Sequence, residues 1–378
     1  AIGTWSGFSG ITAAVGPVLG GFLVDHFSWI WAFLINVPMA LLVLWIVRRH
    51  VPESKGAAAR GGLDLWGALL ATAGLGGIVY AFIEAPTQGW RSPAVLAALA
   101  IGVVGSVGFV IAERRARTPM LPLSLLRIGN FSGANLLTLL LYAALGGGLY
   151  FFPLNLIQVQ GYSATVAGAA LLPFIFLMFA LSGWAGQLVD RFGPRVPLVI
   201  GPAIAAVGFA LFALPGVGAS YWSGFLPAVV VLGFGMTVTV APLTTTVMNA
   251  VGPDLAGVAS GVNNAVSRAA AVLAIAVFGA IMAWAFDAAL AERLQAMGAS
   301  DEVRAFLAAE RDRLAAAGAP PGADAATVAA VKRAVAESFV AGFRWVMLLS
   351  AGLAVLSAVS AWLMIRRAPA EKPDNDKP

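Results

Sequence analysis

The chain has 378 residues, 60% of them apolar and 11% charged, with a mean hydropathy of +0.88. Soluble domains run to roughly 45–50% apolar and about 25% charged residues, so this composition excludes an ordinary soluble domain and describes a multi-span membrane protein. The net charge of +5 comes largely from basic residues at the ends of apolar segments, which argues against a nucleic-acid partner, and the absence of cysteine excludes disulfides and thiolate metal sites.

A span needs about 20 apolar residues. Ten segments qualify: 4–24, 29–47, 64–84, 93–112, 131–153, 165–188, 196–214, 222–244, 257–284 and 341–365. The chain opens at Ala1 without a charged leader, and its first residues already have span character. Further material is therefore expected upstream.

The first span carries Gly16, Pro17, Gly20 and Gly21. Gly16 and Gly20 lie four apart, so they share a helix face on which another backbone can approach closely. Pro17 removes a backbone donor in mid-span, which a bilayer tolerates where neighbouring helices re-satisfy the freed carbonyl. A short turn at 25–28 follows, opened by Asp25. Asp64 stands at the start of the third span, where a carboxylate caps a helix, and Glu84 at its outer end. His26 and His50 sit at span ends with no partner at metal-ligand spacing, so no metal site is expected.

Short loops on one side hold Arg48, Arg49, Lys55, Arg60, Arg114, Arg115, Arg117, Arg127, Arg191, Arg195, Arg366, Arg367, Lys372 and Lys377. The short loops opposite hold only Arg91. The positive-inside rule makes the first side cytoplasmic and leaves the C-terminus inside. Trp29, Trp90, Trp222 and Trp345 then fall near the outer interface and Trp362 near the inner one.

From residue 131 a six-span unit begins. Ser163 or Thr165 can cap its second helix. That helix ends in G-Q-L-V-D-R-F-G-P-R, placing Asp190 with Arg191 and Arg195 at the cytoplasmic end of a span. Such a cluster can clamp neighbouring helix ends, or simply anchor them on the positive side. Thr237 and Thr239 either bond the preceding turn or line a path. In the ninth span, Gly257, Gly261, Asn264 and Arg268 share one face. Arg268 is deep enough to require a bundle interior, water or snorkelling. Two readings stand: Asn264 and Arg268 lie along a substrate or coupling path, or they make inter-helix and interfacial contacts. Residues 285–340 are expected to form two short amphipathic helices in an outer loop, broken at P-P-G 320–322. The tail from Ala368 is expected to be disordered.

Residues 16–38, G-P-V-L-G-G-F-L-V-D-H-F-S-W-I-W-A-F-L-I-N-V-P, resemble the fifth-helix signature of major facilitator antiporters, and in particular the fourteen-span drug:proton antiporters. Gly16, Pro17, Gly20, Gly21, Trp29, Trp31, Phe33, Asn36, Val37 and Pro38 match. Thr12, where the signature opens with Gly, and Ile30, in place of an Arg, depart from it. Gly186, Leu188, Asp190, Arg191, Gly193 and Arg195 match the family's cytoplasmic-loop motif G-x-L-x-D-R-x-G-x-R.

The resemblance implies an all-α helical bundle. It assigns 1–47 to the last two spans of an N-terminal half, 48–130 to cytoplasmic loops and an inserted pair, 131–365 to a six-span C-terminal half, and 366–378 to a cytoplasmic tail. It implies a cell-membrane exporter of small amphipathic molecules, driven by a proton gradient without a cofactor. Lipids, a small-molecule substrate and four missing N-terminal spans would be its partners. Asp25 and Glu84 are the acids left for coupling, although both also suit the interface. A non-transporting remnant with a structural or regulatory role, and an intramembrane enzyme, are the alternatives.

Overall fold

In a bilayer, long apolar segments satisfy their backbone only as helices or closed barrels. Helix is what the computed structural model shows. It describes residues 15–50, 64–116, 119, 121–252 and 255–366, and among these no strand occurs. Thr12, Lys55, Arg60, Arg117, Arg367, Lys372, Lys377 and the tail from Ala368 lie outside the described residues.

The first helix, α1, covers residues 15–26. Next come α2 (Trp29–Leu34) and α3 (Asn36–His50), which together make one span. They are followed by α4 (Leu65–Gln88), α5 (Pro93–Arg115) and α6 (Gly129–Leu154). The sixth expected span is broken into α7 (Ala164–Ala169), α8 (Leu172–Gly186) and α9 (Leu188–Phe192). The remaining helices are α10 (Arg195–Phe212), α11 (Leu226–Asn249), α12 (Ala256–Ala296), α13 (Asp301–Ala309) and α14 (Ala325–Met364). Among the described residues nine helical segments are long and apolar enough to cross a membrane. The tenth expected span, 4–24, is described only from residue 15, as α1.

The main core lies among α6, α10, α11, α12 and α14. Phe152 stacks edge-on against Phe212 at 4.9 Å and tilts against Phe225 at 5.7 Å. Such ring geometry adds to the area that these side chains bury. The pair α4 and α5 forms a hairpin with its own small core of Ala81, Ala85, Val95 and Ala98, and rests on α12. The two helices cross so closely that a Cβ at Gly105 would lie 2.6 Å from the Gly74 nitrogen. Small residues at a crossing are what membrane packing uses in place of a hydrophobic driving force. Asp64 caps α4 as expected, accepting a hydrogen bond from the Gly67 N–H at 2.7 Å.

The segment 285–340 differs from expectation. It is not two short helices: α12 continues to Ala296, giving 41 residues, and α14 begins at Ala325, giving 40. The stretch 281–297 contains neither Gly nor Pro and is rich in Ala, with Leu and Met among the rest, so nothing stops the helix where its hydropathy fades. Between them stand α13, capped by Ser300, and a 3₁₀ turn at Arg311–Ala316. The break at 320–322 falls where expected, with Gly322 at φ 87°.

Candidate functional site

Residues on α1 four apart face α7. Pro17, Gly21 and Asp25 form this stripe. A Cβ at Gly21 would lie 2.7 Å from the Ala164 carbonyl carbon and 2.8 Å from the Thr165 Cα, so only glycine permits this approach. Reciprocally, a Cβ at Gly168 would run into the Pro17 carbonyl. One turn further along α1, Asp25 closes the contact. Its Oδ1 accepts from the Ala164 N–H at 3.1 Å. Its Oδ2 accepts from the Thr165 N–H at 2.7 Å and from the Thr165 hydroxyl at 2.5 Å. Asp25 thus caps a helix that lies about 140 residues away in sequence, from which it takes three hydrogen bonds at an end with free N–H groups. Ser163 caps the same helix locally through the Val166 N–H.

The approach to α7 does not use the expected glycine pair. Gly16 and Gly20 do share a face, but nothing lies within 4 Å of a Cβ at either among the described residues. The close approach runs through Gly21, one residue round the helix, because the neighbour sits on the Pro17–Gly21–Asp25 side.

The cytoplasmic-loop motif is built at the junction of α8, α9 and α10. Gly193 ends α9 at φ 71°, a left-handed conformation that favours glycine, and returns its N–H to the Val189 carbonyl at 2.9 Å. Arg195, at the start of α10, lays its guanidinium over the Trp362 ring with 5.6 Å from Cζ to centroid. The same side chain donates to the Trp362 carbonyl, which lies in the last turn of α14. A cation there complements the negative end of the helix dipole. Asp190 and Arg191 are exposed, and no ion pair joins either to Arg195 among the described residues. The clamp at this end is therefore Arg195 on α14, not a carboxylate between two guanidinium groups. At Gly186 a Cβ would meet open space.

Gly257, Gly261, Asn264 and Arg268 share one face of α12, as their spacing requires, and that face is exposed. Asn264 bonds locally to the Ser260 carbonyl, and its own carbonyl accepts from Ser267. The inward polar residue is its neighbour. Asn263 donates to the Thr138 hydroxyl at 2.7 Å and to Asn135 Oδ1 at 3.2 Å, while Asn135 donates to the Phe131 carbonyl. Thr138 is fully buried and Asn135 nearly so. This knot joins α12 to α6, and sequence reasoning missed it. The N-N pair signalled it, but both asparagines fit a helical face.

Glu84 accepts from Gln88 Nε2 at 2.7 Å at the C-terminal end of α4, a bond within one helix. Thr237 and Thr239 are buried and donate to the Gly233 and Gly235 carbonyls, each at 2.8 Å, so their hydroxyls are satisfied within α11. Among the described residues no three His, Asp or Glu side chains gather at metal-binding distance.

Comparison with known proteins bears on nearly the whole chain. The family profile described as Major Facilitator Superfamily matches residues 1–275. The tetracenomycin C resistance and export protein of Streptomyces glaucescens is 30% identical over 388 residues, covering 100% of this chain and 70% of that protein. Multidrug resistance protein Stp of Mycobacterium tuberculosis is 34% identical, covering 78% of this chain and 54% of that protein. The methylenomycin A resistance protein of Bacillus subtilis is 33% identical, covering 74% and 60%. The alignments thus reach from about half to 70% of the length of these relatives. Among solved structures, a bacterial homologue of the human lysosomal transporter Spinster aligns at 15% identity with a TM-score of 0.44, over 98% of this chain and 87% of that one. That likeness is too distant to speak to conformation or substrate.

Proposed function

Because the chain belongs to the Major Facilitator Superfamily, a family of membrane transporters and not of enzymes, we propose that it exports small amphipathic, drug-like molecules in exchange for protons by alternating access. The observation that carries this reading is the bond set of Asp25 on α7. Alternating access needs contacts made in one state and broken in the other. Residues 1–47 and 131–365 belong to the two halves, with 48–130 as loops and an inserted pair. Asp25 then ties one half to the other at the outer ends of α1 and α7. With the Lys- and Arg-rich loops inside, this is an outer latch, and closing it leaves the bundle open to the cytoplasm. Arg195 on Trp362 holds the inner end of the second half together.

The latch also offers a place for a proton. Protonating Asp25 removes the charge that strengthens its bonds to the Ala164 and Thr165 amides, so proton arrival from outside would release α7. Glu84, bonded to Gln88, offers no comparable link between helices. The substrate class follows from the resistance and export names of the relatives and from spans with few charges. Asn264 and Arg268, on the open face of α12, are the side chains proposed to line the path.

The test is dye efflux. The protein is expressed from its native gene in an efflux-deficient bacterium, and loss of preloaded ethidium is followed with and without a protonophore. We expect efflux that stops when the proton gradient collapses, and that Asp25→Asn slows at equal membrane abundance. Protonophore-insensitive efflux would sink the proton-exchange reading, and wild-type rates in Asp25→Asn would sink the latch.

A further inference from the structure

A second charged site lies at the outer ends of α12 and α14, away from the latch and the motifs. Glu337 of α14 receives Arg333 Nε at 2.8 Å and Arg293 Nε of α12 at 3.3 Å. Arg344, about two turns nearer the membrane on α14, donates its Nε to the Ala213 carbonyl just past α10 at 3.1 Å. It has no carboxylate partner among the described residues. Together with Gly216 and Val217, these four side chains line one cavity of about 470 Å³. Three guanidinium groups against one carboxylate leave it with a net charge of +2.

The level of the cavity is set by tryptophan. Trp284 and Trp345 are exposed, with ring centroids 6.4 Å apart, and exposed tryptophans mark the membrane–water boundary. Arg344 adjoins Trp345. Arg293 stands nine residues beyond Trp284, about 13 Å at the rise of a helix. The cavity therefore runs from the boundary outward, at the depth of lipid headgroups. Arg344 keeps its two terminal nitrogens after bonding Ala213. Guanidinium forks suit the oxygens of a phosphate, which can bridge two or three of them at once.

We infer that this cavity binds a phosphate group, either the headgroup of an anionic phospholipid in the outer leaflet or phosphate from solution. The group sits between Arg344 and Arg293, and Glu337 is its competitor for the guanidinium groups. Glu337 holds the arginines in place while the site is empty and gives up part of its bonding when phosphate enters.

The probes are phosphatidylglycerol, phosphatidylcholine and inorganic phosphate, titrated against the detergent-purified protein expressed from its native gene and read by native mass spectrometry and by the thermal unfolding midpoint. We expect phosphatidylglycerol to bind and to raise the midpoint more than phosphatidylcholine does. Arg344→Gln should weaken this binding by about tenfold or more, the scale of one lost charge-assisted hydrogen bond. Glu337→Gln should strengthen it, which damage to the fold would not do, and this variant keeps the test meaningful if Arg344→Gln proves unstable. A midpoint raised by inorganic phosphate as much as by phosphatidylglycerol assigns the site to soluble phosphate, and a response to the lipid alone assigns it to the headgroup. No response to either probe, or a Glu337→Gln variant that binds more weakly than wild type, overturns the inference.

Discussion

Asn263 and Asn264 are neighbours on α12 with opposite surroundings. Asn263 bridges to Asn135 and Thr138 of α6, while Asn264 turns to its own helix on the open side. Removing Asn263 leaves buried polar groups on α6 short of a partner. Interhelical hydrogen bonds in membranes are worth about 0.6 kcal/mol on average and up to about 1.7. Asn263→Ala should therefore lower stability by that amount, and Asn264→Ala should change it by no more than a few tenths. Thermal unfolding of the two variants in detergent checks this, and equal losses would contradict it. The pair also shows what the sequence makes legible. Spacing places Gly257, Gly261, Asn264 and Arg268 on one face, and they do share it. Which face turns inward is decided by α6, and helical period carries no information about a neighbour. Gly16 and Gly20 repeat the lesson, since their spacing is right but α7 approaches through Gly21.

Helix ends carry the next level of organisation. The α9–α10 corner depends on Gly193 at φ 71° and on Arg195 reaching the end of α14. At φ 71° and ψ 170° Gly193 occupies a region that is essentially closed to residues with a Cβ, at a cost of about 1–3 kcal/mol, so Gly193→Ala should destabilise the corner by that much. Arg195→Lys keeps the charge but loses the planar group that stacks on Trp362. Amides at the C-terminal end of α14 should then exchange hydrogen faster, and unchanged exchange there would show that the contact holds nothing. At the opposite end of α14, Asp324 accepts from the Thr327 N–H at 2.6 Å. The bonds to Thr327 hold its carboxyl below the ordinary aspartate value. A carboxylate depressed in the folded state contributes its full stability above the unfolded pKa, near 3.9, and loses it as pH falls through the lower folded pKa. The first turn of α14 should thus be ordered at neutral pH and fray in strong acid. Asp324→Ala should fray it at every pH, a difference that amide exchange over 325–329 can follow. The motif glycine and the break at 320–322 were readable because turn chemistry is local. The Arg195–Trp362 contact was not, because its partners lie far apart in the chain.

Over the whole molecule, the decisive lengths are those of α12 and α14. With 41 and 40 residues each runs about 60 Å, against a hydrocarbon core of about 30 Å. Even a tilt of 40°, the upper end of what spans adopt, takes up only about 39 Å, so roughly 20 Å of each helix extends beyond the hydrocarbon core, into and past the headgroup layer. Hydropathy found the most apolar portions of these two helices and lost them where charges enter, at Asp287, Glu292 and Arg293 of α12 and at Lys332, Arg333 and Glu337 of α14, because helix propensity does not end there. The orientation proposed from charge placement puts Asn249 of α11 inside and Ala326 of α14 outside. The chain contains no cysteine, so single thiols report position without background, and both positions are exposed. In intact cells a membrane-impermeant maleimide should label the Ala326→Cys variant at once and the Asn249→Cys variant only after permeabilisation. The reverse pattern would invert the bundle, move the Asp25 latch and the phosphate cavity to the cytoplasmic side, and turn the proposed exporter's proton entry the wrong way round.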